Sequence, residues 1–315
     1  MTCERSNQAN KRRRRLWTIG LPLLSSAVII AGLWLTNAQT GIFAIEPSPT
    51  PIPTPTSWPR YHLSSPEYGM QAFLYWNERA ARRDLRLIDE AGFTWVKQHI
   101  GWRDIEGFRK GQFAWATIDR IVADAEALDL KLLLRLDSEP AWAVHARGTH
   151  SYNGPPNDTQ DFGDFCHALA KQYRGRIDAY QVWNEPNLAR EWGAHPPNPV
   201  EYVELLKACY IGVKTADPDA LVISAGLSPT GNGPPEAMPE MEYLVAMYEA
   251  GAAPYFDLLG VHAPGFDYPP EVSPDEVAAE RDGYRFWCFR HVEDLREIMI
   301  SYGDAEKQVA VLEMG

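Results

Sequence analysis

The chain has 315 residues, with 45% hydrophobic and 23% charged side chains, which excludes a wholly disordered or fibrous protein. Its net charge is −12, but residues 1–15 hold six bases against one acid, so the remainder carries −17. An acidic body argues against nucleic acid as a partner, because phosphate binding needs a basic face.

The first sixty residues separate into three parts. Residues 1–15 form a basic tail ending in KRRRR. Leu16–Leu35 is an uncharged apolar run of twenty residues. At about 1.5 Å per residue it spans roughly 30 Å, the thickness of a bilayer core. A cleaved export signal would have a shorter apolar core and a small-residue cleavage site, for which Thr36-Asn37-Ala38 is a weak candidate. The length favours a retained single-pass anchor. The basic flank keeps the amino end in the cytoplasm, so the body is exported on either reading. Residues 36–59 are rich in Pro, Thr and Ser and read as an extended spacer. A domain is expected from about Arg60 to residue 315.

Seven β-like runs follow: Tyr68–Phe73, Trp95–Ile100, Lys131–Leu136, Ala179–Trp183, Leu221–Ala225, Leu258–His262 and Val309–Leu312. Several are continuous apolar runs, as in parallel strands covered on both faces. Helical periods lie between them. Ile118, Ile121, Val122, Ala125 and Leu128 share one face. Phe162, Phe165, Cys166 and Leu169 share another, and Tyr202, Leu205, Leu206, Cys209 and Val213 a third. Asp158 and Asn198 suit helix N-caps, and Gly92 suits a helix stop. Alternating strands and helices give a doubly wound sheet or a (β/α)8 TIM barrel. No glycine-rich phosphate loop follows the first strand, and the long loops after strands three, four and six favour the barrel. With seven strands legible, the barrel reads as incomplete, and a carboxyl-terminal truncation is expected. Cys166, Cys209 and Cys288 lie in apolar helical patterns, so buried free thiols are expected, with a Cys166–Cys209 bridge the alternative. No His/Cys cluster has metal spacing, and no cofactor is expected.

Two strand ends carry chemistry. Val182-Trp183-Asn184-Glu185-Pro186-Asn187 delivers Glu185 to the barrel mouth. A glutamate against Trp183 should have its acid form favoured. Val309-Ala310-Val311-Leu312-Glu313 delivers Glu313 to the same face from across the barrel. Two converging carboxyls are what glycoside hydrolysis with retention requires. A lone strand-end glutamate would read as a surface ion pair.

The WNEPN run, the strand-seven glutamate, Gly92–Lys97 on strand two, Trp102 and Gly111–Trp115 together resemble the clan A glycoside hydrolases, most closely families 39 and 5. The resemblance spans about residues 68–315. It implies a TIM-barrel glycosidase acting on a poly- or oligosaccharide, with Glu185 as acid/base, Glu313 as nucleophile and Asn184 on the sugar 2-hydroxyl. Two positions depart from the clan pattern. Lys97 stands where an arginine is usual, with Arg135 placed to compensate. His262-Ala263-Pro264 lacks the tyrosine of a His-x-Tyr motif, which leaves Tyr268 to orient the nucleophile from the following loop. Trp76, Trp102, Trp142, Trp192 and Trp287 are candidate sugar platforms, with core packing the alternative for each. Trp142 and Trp192 stand out by their place in the loops. His99, His145, His195 and His262 are candidate substrate contacts, His262 foremost. A non-catalytic carbohydrate-binding barrel is the alternative function, and a metal-dependent barrel hydrolase ranks last.

Overall fold

The computed structural model describes residues 62–144 and 153–314. The basic tail, the apolar run 16–35, the spacer 36–59 and the domain start near Arg60 lie outside these residues. Among the described residues, no helix is long and apolar enough to cross a membrane.

Seven parallel strands form one sheet in chain order: β1 (Gly69–Gln71), β2 (Trp95–Gly101), β3 (Lys131–Asp137), β4 (Ala179–Val182), β5 (Leu221–Ile223), β6 (Leu258–His262) and β7 (Gln308–Glu313). All seven expected runs are strands, with shifted ends. Tyr68–Phe73 shrinks to three exposed residues, and β4 stops before Trp183, whose backbone turns left-handed at φ 71°. The helices are α1 (Glu78–Glu90), α2 (Trp102–Glu106), α3 (Ala116–Glu126), α4 (Thr159–Gln172), α5 (Pro199–Ala216), α6 (Glu240–Glu249), α7 (Pro274–Glu280) and α8 (Val292–Ser301). Asp158 and Asn198 cap α4 and α5, and Gly92 turns the chain after α1 at φ 81°.

The sheet curls, and its inner face buries Leu133, Ala179, Leu221, Ile223 and Leu258 against Trp95, Ala310 and Leu312. Among the described residues, β1 and β7 each pair on one side only. Three hydrogen bonds still tie β7 to Leu63, ahead of β1, and to Lys97 on β2. Leu63 N–H donates to Gln308 Oε1 (2.7 Å), Gln308 Nε2 donates to Leu63 O (2.8 Å), and Lys97 Nζ donates to Leu312 O (3.1 Å). The result is a half-barrel with strands in TIM-barrel order.

The helices α4 and α5 pack closely because each presents a glycine to the other. A Cβ on Gly212 would stand 2.4 Å from the Gly163 carbonyl oxygen, and one on Gly163 would stand 2.9 Å from Ala208 O. That approach brings Cys166 and Cys209 to a Cα separation of 5.3 Å, and they form a disulfide. The expectation of free thiols is corrected for this pair. Helical spacing shows that both cysteines face the core but not that their two faces meet. Cys288 is free and buried. Gly212→Ala should destabilise the fold, because backbone rather than a flexible side chain occupies the added methyl's place. Overpacking of about 1–3 kcal/mol exceeds the roughly 1 kcal/mol that alanine gains in a helix. Urea unfolding reads the difference, and a stability equal to or above wild type would refute the tight approach.

Candidate active site

Glu185 sits in a turn that the sheet holds under strain. Trp183 (φ 71°) and Glu185 (φ 43°) both adopt the left-handed region, which costs on the order of 1–3 kcal/mol each without glycine. The neighbours hold it there. Trp183 N–H donates to Leu136 O (2.9 Å), Glu185 N–H donates to Gly226 O (3.0 Å), and Gln181 Nε2 donates to Trp183 O (2.8 Å). Asn187 is buried and structural. Its Nδ2 donates to Ser228 O (2.8 Å) and Met238 O (3.0 Å), tying the WNEPN turn to the loop after β5. Asn184 is buried, and Gln181 Nε2 stands 3.5 Å from its Oδ1.

Glu313 ends β7 beyond a bulge. Val261 pairs with Val311, but His262 pairs with Glu313, so Leu312 is the extra residue. The bulge aims the carboxylate beside His262. Gly226 makes room for that ring, since a Cβ there would stand 2.2 Å from His262 Cδ2. His262 is buried between the two acids. Its Nδ1 stands 3.1 Å from Glu185 Oε1 and its Nε2 3.8 Å from Glu313 Oε1. Lys97 Nζ and Arg135 Nη1 each stand 3.6 Å from that same Glu313 oxygen. One oxygen of Glu185, one of Glu313 and a His262 nitrogen all lie within 4.8 Å of one another. This is also a spacing that a cation could bridge, but such an ion would compete with Lys97 and Arg135 for Glu313.

The charges of the site follow from burial and partners. Burial pushes the Glu185 carboxyl up, but His262 and Arg190 (3.1 Å from Glu185 Oε2) outweigh it and hold the group below its ordinary value. The expectation that Trp183 favours the acid form is corrected. Trp183 turns into the core against Phe162 and Trp192, leaving Glu185 to cationic and polar partners. Burial lowers Lys97 to about 8, against the opposing pull of Glu313. On β3, burial pushes the Asp137 carboxyl up, but His99 and Arg135 hold it below its usual range. His99 Nε2 lies 2.5 Å from Asp137 Oδ1, and Ser138 Oγ donates to the same oxygen at 2.7 Å. The Asp137 side chain thereby fixes Arg135 Nε at 3.1 Å and steers its guanidinium toward Glu313.

Lys97 carries a pH signature. Its folded value of about 8 lies below the 10.5 of a free lysine, so the unfolded chain binds more protons between these values. Stability therefore rises with pH from about 8 to 10.5, and the burial penalty is present in full below 8, worth about 3 kcal/mol. Lys97→Met should gain on wild type at pH 7 and lose that advantage by pH 10. Urea unfolding at the two pH values checks it, and a constant difference would overturn the assignment.

Other sequence candidates separate. Trp192 is fully buried, stacked edge-on against Trp183 and Tyr202, so its expected role as a sugar platform is corrected to core packing. Loop position suggested exposure, but the loop folds back over α5. Trp142 packs on buried Trp102 and donates through Nε1 to Glu106 O (2.6 Å), which leaves only part of its ring free. Trp76 is exposed, and Trp287 lies against Phe266 and Phe286. Tyr268 does not reach Glu313. Its hydroxyl donates to Glu280 (3.1 Å) and accepts from Arg281 (3.0 Å), so the expected substitute for the missing tyrosine is corrected. His145 lies outside the described residues. Sequence reasoning missed Arg190, whose one signal is its place five residues after Glu185 in the same loop.

A half-barrel with two facing strand-end glutamates defines the class of clan A glycoside hydrolases. The model of the family described as Cellulase (glycosyl hydrolase family 5) matches residues 54–247, and the chain belongs to that family. A beta-xylosidase of Geobacillus stearothermophilus is 28% identical over 155 residues, covering 42% of this chain and 30% of that protein. Among solved structures, a family 39 glycoside hydrolase of Bacteroides cellulosilyticus WH2 superposes with a TM-score of 0.59 at 22% identity, over 78% of this chain and 48% of that one. A monomeric beta-xylosidase of Caulobacter crescentus CB15 gives 0.55 at 20% identity, over 79% and 52%. The chain thus spans about half the length of the structures it matches, and these two likenesses bear on the fold.

Proposed function

We propose that this protein is an exported retaining glycosidase, with Glu313 as nucleophile and Glu185 as acid/base. The observation that carries the proposal is the pair of glutamates at the ends of β4 and β7 with oxygens within 4.8 Å. Retention calls for carboxyls about 5–5.5 Å apart, whereas inversion needs room for a water between them. Glu313 Oε attacks the anomeric carbon while Glu185 gives its proton to the departing glycosidic oxygen. Glu185 then takes a proton from water, whose oxygen attacks the same carbon and releases Glu313. Lys97, Arg135 and His262 surround the nucleophile, so they serve it first and the sugar second. Asn184 stands beside Glu185 to meet the 2-hydroxyl.

Cations gathered on Glu313 favour catalysis over a merely carbohydrate-binding barrel, because binding alone gains nothing from a carboxylate oriented by Lys97 and Arg135. The names of the family and of the curated relative support a β-glycoside substrate, with aryl β-xylosides and β-glucosides as first probes. Export finds support in the Cys166–Cys209 disulfide, which belongs to oxidising compartments, and in the KRRRR flank of the apolar run 16–35. The same run supports a single-pass anchor in the cell membrane. Proton NMR during the first minutes of hydrolysis tests the mechanism. The newly formed sugar should keep the anomeric configuration of the substrate, and an inverted product would end the retaining reading.

A further inference from the structure

We infer that Arg190 is a swinging arm that masks the proton donor in the free protein and hands itself to Glu191 when a leaving group enters. The inference rests on the acid/base role of Glu185 proposed above.

The backbone beneath Arg190 is fixed on both sides. Ala189 N–H donates to Glu236 O (2.8 Å), Gly193 N–H donates to Asn153 O (2.7 Å), and Trp183 Nε1 donates to Glu191 O (2.8 Å). Trp192, the second residue after it, is fully buried. What remains free is the Arg190 side chain, 71% exposed, against 13% for the Glu185 side chain it covers. Its guanidinium reaches two acids at once. Nη2 stands 3.1 Å from Glu185 Oε2 and Nε stands 3.6 Å from Glu191 Oε1. Glu191 is itself anchored, since its Oε2 accepts from Asn153 Nδ2 at 2.7 Å. The arm therefore has a second partner in place before it moves. Leaving Glu185 does not strand the guanidinium, so the exchange costs little.

The chemistry gives the exchange its purpose. In the free protein, Glu185 meets His262 from β6, Arg190 from its own loop and Glu313 from β7, with Lys97 and Arg135 behind Glu313. A proton donor must hold its proton when the glycosidic bond breaks, and a guanidinium on its outer oxygen opposes this. Oε1 is engaged by His262 within the site and Oε2 by Arg190, so Oε2 is the oxygen that a movement of the arm would release to an arriving leaving group. That group cannot take the proton from Oε2 while Arg190 occupies it. Displacing the arm lets Glu185 take up its proton on the oxygen that the leaving group will use.

Two readouts on the full chain test this, one independent of turnover. The Glu185 carboxyl is titrated by carbon-13 NMR in wild type, Arg190→Gln, Arg190→Lys and Glu191→Gln. The kcat/KM of an aryl β-glycoside is followed against pH in the same four proteins. An exposed ion pair of this kind is worth about half a pH unit. Arg190→Gln should raise both the Glu185 titration and the alkaline limb by about that much, giving roughly threefold more activity above the limb. Arg190→Lys should return both toward wild type. Glu191→Gln removes the second partner and should move both the other way. An Arg190→Gln protein with an unmoved titration or an unmoved limb overturns the inference, and so does a limb that Arg190→Lys fails to restore. Full activity of Glu185→Gln on a substrate with a poor leaving group would overturn the acid/base role itself. The titration would still report whether the arm grips the carboxyl.

Discussion

On the mechanism proposed above, Glu313→Gln should lose about 10⁴-fold or more of its kcat on any glycoside, because the variant lacks the carboxylate that forms the covalent intermediate. Glutamine keeps a hydrogen-bonding oxygen for buried Lys97 and half-buried Arg135, so the fold around them survives the change. Glu185→Ala should behave differently, with its loss depending on the leaving group. General acid catalysis contributes about 10²–10⁴-fold, and a dinitrophenyl leaving group needs little of it. On that substrate the first step stays fast and the glycosyl-enzyme accumulates, because no base remains to activate water. Azide needs no base, so it should restore turnover of Glu185→Ala and give a glycosyl azide with the substrate's configuration. With Glu313→Ala, azide would enter the emptied space beside Lys97 and Arg135 and give the opposite anomer. The two azide products distinguish the two roles. Products in the reverse assignment, or Glu313→Gln activity within tenfold of wild type, would remove the mechanism.

The sequence shows the strands well where two layers cover them. β4, β5 and β6 are buried along their whole length and read as mostly apolar runs, broken by Gln181 in β4 and closed by His262 in β6. β1 reads poorly because its three residues are exposed. The strand ends are set by contacts that no local pattern carries. Trp183 leaves β4 because Leu136 O and Gln181 hold its left-handed turn. Both glutamates are legible because each ends an apolar strand. The ionisation of Glu185 is not, because the decisive partner His262 is 77 residues away. A neighbouring tryptophan suggested a dry pocket, but indoles serve equally well as core filler, and Trp183 and Trp192 are both used that way. The bulge at Leu312 also leaves no local mark, yet it decides that Glu313 and not Leu312 faces His262.

Loss of the Cys166–Cys209 bond should cost as much stability as a large core truncation, and cost almost no catalytic geometry. The bond closes a loop of 43 residues, for which chain entropy gives about 4 kcal/mol. For a domain of this size that is a fall in Tm on the order of 10 °C. The native helix pairing does not depend on the bond alone, since Gly163 and Gly212 already let α4 and α5 approach. The link from α5 to the site is also separate. Tyr202 OH donates to Val182 O (3.0 Å) and accepts from Ala225 N–H (2.6 Å), which joins α5 to the strand ends beside Glu185 and Gly226. Cys166→Ala/Cys209→Ala should therefore melt well below the oxidised protein while keeping its kcat at temperatures where it stays folded. Dithiothreitol should lower the Tm of wild type to match and leave the double variant unchanged. Peptide mapping without reductant should recover the two cysteines in one linked fragment. A wild-type Tm indifferent to reductant would show that the bond does not form, and the support it lends to export would go with it. A double variant that keeps its Tm but loses kcat would instead mean that the helix pair, and not the strand ends, sets the position of Glu185.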